Sequence, residues 1–543
     1  MSATSGRRRT KSGCETCRKR RIKCDESRPS CKKCTLTGRK CGGYGIWDDS
    51  PPARDNDKTS IWTQQRPSYS IGSNLSLFPA ADTSSERSAL DHFERYMRTK
   101  LCGAFESQFW GKLILQASYQ EPAILHSVIA LSASQIGDER LSLKAYSAAI
   151  KSLNRYAAGE NRWALRITLI TCMVFICLEQ LKGSRRLAQF HLQSGLRMLE
   201  DFQTRRMGQC AKGKPSVLKV QMRPESADDV IIEAFTRLHV QCAYFGQGSS
   251  FQYRLEQYVQ LGASASSMPR GFESLHDARQ TLDWLMNTAL ALSSQAESLT
   301  CKVAPIPRCV RNKVKQLQVA LREWKAAWEA GRFAMNTGLS IRDSLGTAVL
   351  SIYYKLTVIV AATCLRGNDE TVFDAQLKDF ESLLTEVQSL WNRAEEELGM
   401  KPANKMSFTV DLGFIPPLYY IALKCRDPRL RRRAIDLLQK APHIEANWDG
   451  PLAATIAYEI MRLEEGDIYA QHDLACEAGD ALSTIVPNSA RVSIVDVNLD
   501  SDSRDIVTIR AIRFLCDFKD KPWSRSDVKM KVVIGEYRRQ HET

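Results

Sequence analysis

Six cysteines within the first 41 residues follow one spacing twice over. Cys14-x2-Cys17-x6-Cys24 is followed by six residues, then by Cys31-x2-Cys34-x6-Cys41, so the second trio is the first displaced by 17 positions. Lys23 and Lys40 repeat at the same offset, each just before the third cysteine of its trio. A segment this short cannot bury a core that offsets the entropy of ordering it, so it needs a staple. Two residues between cysteines let one tight turn present both sulfurs to a tetrahedral ion. Six thiolates are too many for one zinc and too few for two separate four-cysteine sites. Two zinc ions sharing two sulfurs satisfy the count. A disulfide framework would need an oxidising compartment, and the opening residues Met1 to Arg9 carry no apolar run of the kind that directs secretion. A redox Cys-x2-Cys pair would sit beside a βαβ pattern, which this segment lacks. Metal binding is the expectation.

Charge points the same way. The chain carries a formal +15. Residues 1–41 hold fourteen Lys and Arg against three Asp and Glu, a balance of +11, which leaves +4 for the other 502 residues. Arg18, Lys19, Arg20, Arg21, Lys23, Lys32, Lys33, Arg39 and Lys40 are interleaved with the thiols. A metal-stapled knob of this charge density attracts phosphate. No apolar face accompanies the charge, which disfavours a membrane-surface patch. The eleven remaining cysteines form no Cys-x2-Cys pair and sit mostly in apolar surroundings, as reduced buried thiols do. The longest apolar run, Ile167 to Leu178, is too short for a bilayer and reads as a buried helix.

Residues 14–41 resemble the fungal Zn2Cys6 binuclear-cluster DNA-binding domain. The basic run Cys17-Arg-Lys-Arg-Arg-Ile-Lys-Cys24-Asp25 is similar to that family's first helix, and Pro29 to its loop proline. The resemblance implies two Zn2+ per chain. Cys14 and Cys31 would bridge, Cys17 and Cys24 would complete one zinc, and Cys34 and Cys41 the other. It also implies CGG-like half-sites in the major groove. Arg20 and Arg21 are the expected base contacts, since arginine can take guanine O6 and N7 together. Arg21 stands where lysine is common in the family. Arg18, Lys19, Lys23, Lys32, Lys33 and Lys40 would mainly hold phosphates.

Along the chain, residues 1–13 read as a basic disordered arm whose Arg7-Arg8-Arg9-Thr10-Lys11 suits nuclear import or extra phosphate contacts. Residues 42–85, with Pro51, Pro52, Pro67 and Pro79 and no heptad, read as a disordered linker without a coiled coil. From Glu86 the pattern turns helical. Leu90, Phe93, Met97 and Leu101 mark one amphipathic face, Pro122 opens a helix, and Asp138 caps the next. Helical periodicity continues at about 163–178, 187–202, 228–244, 275–299, 308–330, 342–365, 370–396, 416–424, 428–440 and 451–465. Alternation at Val492–Leu499 and Ile506–Ile512 predicts a β-hairpin. The expected fold is a small Zn2Cys6 metal-stapled DNA-binding domain (14–41) plus a large all-α regulatory domain (86–543) with a C-terminal β-hairpin.

The body resembles the helical regulatory domain of a subgroup of fungal zinc-cluster regulators. The similarity lies in Phe105-Glu-Ser-Gln-Phe-Trp110, in Glu121 to Leu131, in Asp411-Leu-Gly-Phe-Ile-Pro-Pro417, in Lys424 to Leu438, and in Glu445 and Trp448-Asp449. The eight histidines are dispersed, Gly246-Gln-Gly248 lacks a third glycine, and no catalytic triad or phosphate-loop lysine appears. The arginines between Arg429 and Arg433 are expected to form a solvated helix face. A nuclear transcription regulator is therefore expected, not an enzyme. Its expected partners are double-stranded DNA and the transcription machinery or co-regulators, with a homodimer, if formed, made through the helical body. A zinc-stapled module binding protein or RNA is the competing class. A duplex CGG site set against a scrambled duplex separates the two.

Overall fold

The computed structural model describes residues 16–17, 20, 22–25, 31–39, 83–155, 162–206, 220, 224, 226–244, 268–301, 305–335, 340–398, 407–441, 443–446, 448–466, 486–499, 506–515 and 524–533. Within the body, helices dominate, and they begin where the sequence provides caps. Thr83 and Glu86 form a reciprocal capping box at the start of the Ser84–His92 helix. That helix continues through a π turn, Phe93–Met97, into Arg98–Leu101. Leu90, Phe93, Met97 and Leu101 are all buried. Pro122 opens Pro122–Ile136, and Gly137, at φ +88°, ends it in the left-handed conformation that glycine adopts without strain. Asp138 Oδ1 accepts from the Leu141 amide at 3.0 Å and caps Glu139–Leu153.

Two apolar cores result. One is built by the helices from Ser84 to Arg206, with Val230, Phe235 and Leu238 of the Ala227–Tyr244 helix. The other is built by helices Leu275–Cys301, Arg308–Met335, Ile341–Thr363, Leu377–Leu398, Ile415–Lys424, Pro428–Lys440 and Gly450–Glu465. Helices Arg162–Leu181 and Ile341–Thr363 have the length and apolar composition of membrane spans, yet their apolar windows are 83% and 61% buried against protein neighbours. Burial pushes the thiols of Cys102 and Cys364 up to about 11 and those of Cys172 and Cys425 to about 12. These cysteines are core residues rather than nucleophiles.

The body is not all helix before its end. A small sheet joins the two cores. β1 (Ser407–Thr409) pairs in parallel with β2 (His443–Glu445), and β2 pairs antiparallel with β3 (Trp448–Asp449). Phe408 and Ile444 enter the first core, whereas Trp448 enters the second. Trp448 Nε1 donates to the Gln241 carbonyl, and Gln241 Nε2 donates to the Val410 carbonyl, both at 3.0 Å. Several of the residues that carry the sequence resemblance lie around this sheet, and there they hold the fold together. Asp411 receives both terminal nitrogens of the buried Arg279. Glu445 accepts from the Phe414 and Ile415 amides and so caps Ile415–Lys424. A side chain at Gly413 would collide with that carboxylate. Pro416 and Pro417 fall in the first turn of the same helix, as expected of a helix-start pair. Asp449 caps Gly450–Glu465 and pairs with Arg185 at 2.9 Å.

The C-terminal hairpin expected from sequence is present, and one more strand extends it. β4 (Ile494–Leu499) and β5 (Ile506–Leu515) pair from Ile494↔Ile512 to Leu499↔Val507, and a third strand, β6 (Ser524–Val533), pairs antiparallel with β5. Val495, Val497, Val507, Ile509 and Ala511 turn inward and join the second core.

The arginine run from Arg429 to Arg433 departs from the solvated face expected of it. Arg431 is fully buried; its Nη2 lies 2.7 Å from Glu464 and its Nε donates to the Ala422 carbonyl at 2.9 Å. Glu464 also receives Arg426 at 2.9 Å and the Val492 amide at 2.6 Å. Arg426 and Lys424 continue to Glu370 at 3.1 and 3.0 Å, and Lys424 donates to the Ser493 carbonyl. Only Arg429 and Arg433 of the run remain exposed. The buried network ties three α-helices and the short 3-10 helix Glu370–Gln376 to the segment leading into β4. Burial alone would raise the Glu464 carboxyl, but Arg426 and Arg431 outweigh it and hold it at about 2. Its stabilisation is therefore complete above the ordinary carboxylate range and is lost as pH falls toward 2.

Arg431→Met should lower the stability of the body by roughly 3–5 kcal/mol, because it strands buried carboxylates. Arg433→Ala, whose partner Asp436 lies 3.8 Å away at the surface, should cost less than about 1 kcal/mol. Urea unfolding followed by circular dichroism checks both; comparable small losses would show that the network carries little. Between pH 4.5 and 2.5 the wild type should lose stability more steeply than Glu464→Gln.

Candidate zinc cluster and nucleic-acid interface

In the head, Thr16 and Cys17 lie in helical geometry, with the Arg20 amide donating to the Thr16 carbonyl and the Ile22 amide to the Cys17 carbonyl, both at 3.1 Å. The second trio starts a short helix, Lys32–Thr35, with Cys31 at its N-cap. The Cys31 sulfur accepts from the Cys34 amide at 3.3 Å. This turn is what a two-residue spacer produces: it closes one helical turn and brings the paired sulfurs onto one side.

Cys17, Cys24, Cys31 and Cys34 are between 0% and 4% exposed, although so small a unit has almost no apolar core to bury them in. The sulfurs of Cys17, Cys24 and Cys31 all lie within 4.8 Å of one another. Cys17 Sγ is 3.6 Å from Cys31 Sγ and 3.9 Å from Cys34 Sγ. Disulfides are excluded for these pairs, since bonded sulfurs sit about 2.05 Å apart. A zinc–sulfur length of about 2.3 Å places the corners of a tetrahedron about 3.8 Å apart. The Cys17–Cys31 separation matches that edge, and with Cys24 close to both, these donors fit zinc in chemistry and spacing. Cys14 and Cys41 lie outside the described residues.

Asp25, directly after Cys24, was not assigned a role from sequence. Its two carboxylate oxygens accept from the Lys32 and Lys33 amides, each at 2.9 Å. It thereby binds the end of the first trio to the start of the second and places a negative charge at a helix N-terminus. The sequence signal is the acid pair Asp25-Glu26, set directly after the basic run that ends at Lys23-Cys24.

The predicted DNA contacts divide into two groups. Lys23, Lys32 and Lys33 are exposed, and so is Arg39. Arg20 is half-buried, and its Nη1 donates to Thr37 Oγ1 at 3.3 Å, across the two halves of the head. Arg18, Lys19, Arg21 and Lys40 lie outside the described residues.

With this geometry in hand, comparison with known proteins gives the class. Residues 12–48 match the fungal Zn(2)-Cys(6) binuclear cluster domain, and residues 88–443 match the fungal specific transcription factor domain. The chain belongs to the fungal Zn2Cys6 transcription regulators, a family of transcription factors rather than enzymes. Its cluster domain takes two zinc ions and binds DNA. Along most of its length it is similar to the aspercryptin biosynthesis cluster-specific transcription regulator atnN of Emericella nidulans, at 25% identity over 84% of this chain and 88% of that one. It is 28% identical to the transcription regulator lscL of Purpureocillium lilacinum over 34% of this chain and 48% of that protein. Over 38 residues it is 66% identical to the transcriptional regulatory protein moc3 of Schizosaccharomyces pombe, covering 7% of this chain and 8% of that one. No solved structure matches.

Because metal binding and folding are one event in so small a unit, chelation should unfold the head while the helical signal of the body persists. Elemental analysis should give two zinc ions per chain, and one or none would contradict the cluster. Asp25→Ala removes two helix-start acceptors and should weaken the head by roughly 0.5–2 kcal/mol, read as faster zinc loss to a chelator.

Proposed function

We propose that the chain is a nuclear, sequence-specific regulator of RNA polymerase II genes that reads CGG-like half-sites in the major groove through a zinc-fixed helix from about Glu15 to Lys23. The convergence of buried sulfurs beneath an exposed basic surface carries this reading. In it, Cys14, Cys17, Cys24, Cys31, Cys34 and Cys41 hold the two zincs, with Cys14 and Cys31 shared between them. The close approach of Cys17, Cys24 and Cys31, a bridging thiolate with the two other described ligands of one zinc, supports that assignment.

Arg20 and Arg21 supply the base contacts in this scheme. A guanidinium has five N–H donors, so the bond from Arg20 to Thr37 leaves enough for a bidentate pair and fixes the side chain's direction. Arg18, Lys19, Lys23, Lys32, Lys33 and Lys40 neutralise phosphates and set register without reading sequence. Residues 1–13 serve as a basic arm, 42–85 join head to body, and the remainder is the regulatory domain that meets co-regulators. With no heptad after the cluster, the isolated head acts as a monomer on one half-site, and any homodimer is made by the body.

Two substitutions separate the roles. Arg21→Ala should cost about 1–3 kcal/mol on a CGG duplex and little on a scrambled one. Lys40→Ala should weaken both alike and lower the salt slope by roughly one. Fluorescence anisotropy over a salt series measures both. Equal losses on the two duplexes for Arg21→Ala would contradict the base-contact assignment.

A further inference from the structure

Among the described residues outside the head, the Arg308–Met335 helix carries a concentration of exposed positive charge without carboxylate partners. Arg308, Arg311, Lys313 and Lys315 fall in its first eight residues, and its first turn contains no acid. The positive end of a helix dipole disfavours that placement. A local rule broken without a compensating partner is a pointer to function. Arg308, Arg311, Lys315 and Arg322 are exposed, and their spacing of three, four and seven residues sets them in one row. The opposite face is buried through Val310, Val314, Leu317, Leu321, Trp324 and Trp328. Among the described residues no carboxylate pairs with the row; the nearest pair along the helix is Lys325 with Glu329.

We propose that this row is a second DNA contact, holding backbone phosphates that flank the half-site occupied by the zinc head. The proposal rests on the DNA-binding reading and extends it to the body. Four cations spread over fifteen residues span about 21 Å of helix axis, which corresponds to about six base pairs of duplex. The 41 residues between Cys41 and Thr83 can bridge at most about 140 Å, so flanking DNA is within reach once the head is bound. The second contact is then intramolecular and needs little intrinsic affinity. An acidic protein segment would complement the same charge, but protein docking relies on apolar anchors. Val319, 44% exposed, is the one large apolar side chain exposed among the described residues of this helix.

The test uses the zinc-loaded full chain and a variant with Arg308→Gln, Arg311→Gln, Lys315→Gln and Arg322→Gln. Each is titrated over a salt series with a duplex of about 14 base pairs carrying one half-site, and with one of about 60 carrying the same site. On the long duplex the wild type should show a salt slope steeper by about three to four than the variant. On the short duplex the two should agree. Equal slopes on the long duplex overturn the proposal. So does the case in which DNA binding is unchanged but only the wild type binds polyglutamate, which would assign the row to an acidic protein partner. If neither protein prefers the short CGG duplex to a scrambled one, the head's reading fails, and the long-duplex comparison still decides the row. Should the fourfold variant melt early, the two double variants (Arg308→Gln with Arg311→Gln, and Lys315→Gln with Arg322→Gln) should each lower the slope by about half as much. Equal slopes for both doubles and the wild type overturn the proposal as well.

Discussion

Everything the head does depends on sulfur–metal bonding. Its described buried hydrophobic residues are four cysteines, so no conventional core can hold its two halves together. Thiolates so close repel one another unless a cation lies between them, and two zinc ions supply that cation and the geometry together. The surrounding contacts then have a clear purpose. Asp25 joins the two halves through backbone amides, and Arg20 reaches Thr37 across them. Both interactions orient the basic surface relative to the metal, as outer-shell groups do around other metal sites.

The body obeys a different logic. Its two cores are apolar and helical, but the connections between distant segments are ionic and buried. Arg279 with Asp411 and Arg426 with Glu464 each link parts of the chain far apart in sequence. Replacing such pairs by apolar side chains can be neutral in stability, whereas breaking one leaves a stranded charge. They therefore fix which segments meet. The family match ends at residue 443, yet Glu464 and Val492 are built into the same network, and the inner face of β4 and β5 shares the second core. The folding unit thus extends past the matched region into the C-terminal sheet.

Much of this was legible in the sequence because its physics is local. Helices at 228–244, 275–299 and 428–440 follow from apolar spacing, and Asp138 and Pro122 follow from capping chemistry. The cysteine pattern carried the class of the head. What was missed depends on partners remote in sequence. Strands of two and three residues at 407–409, 443–445 and 448–449 are too short to show a period. The third C-terminal strand does alternate, through Val528, Met530 and Val532 against Lys529 and Lys531, but its polar start from Ser524 to Asp527 obscures the period. Arg431 reads as a surface residue until Glu464, 33 positions on, is seen beside it.

The central claim is that zinc-dependent folding of residues 14–41 creates a sequence-specific DNA reader. Selection of bound duplexes from a random pool by the full chain, with and without prior chelation, tests it most directly. A CGG-like triplet should emerge from the zinc-loaded protein and disappear from the chelated one, while the helical signal of the body is unchanged. Enrichment of no motif by the zinc-loaded protein, or of the same motif after zinc removal, would contradict the claim.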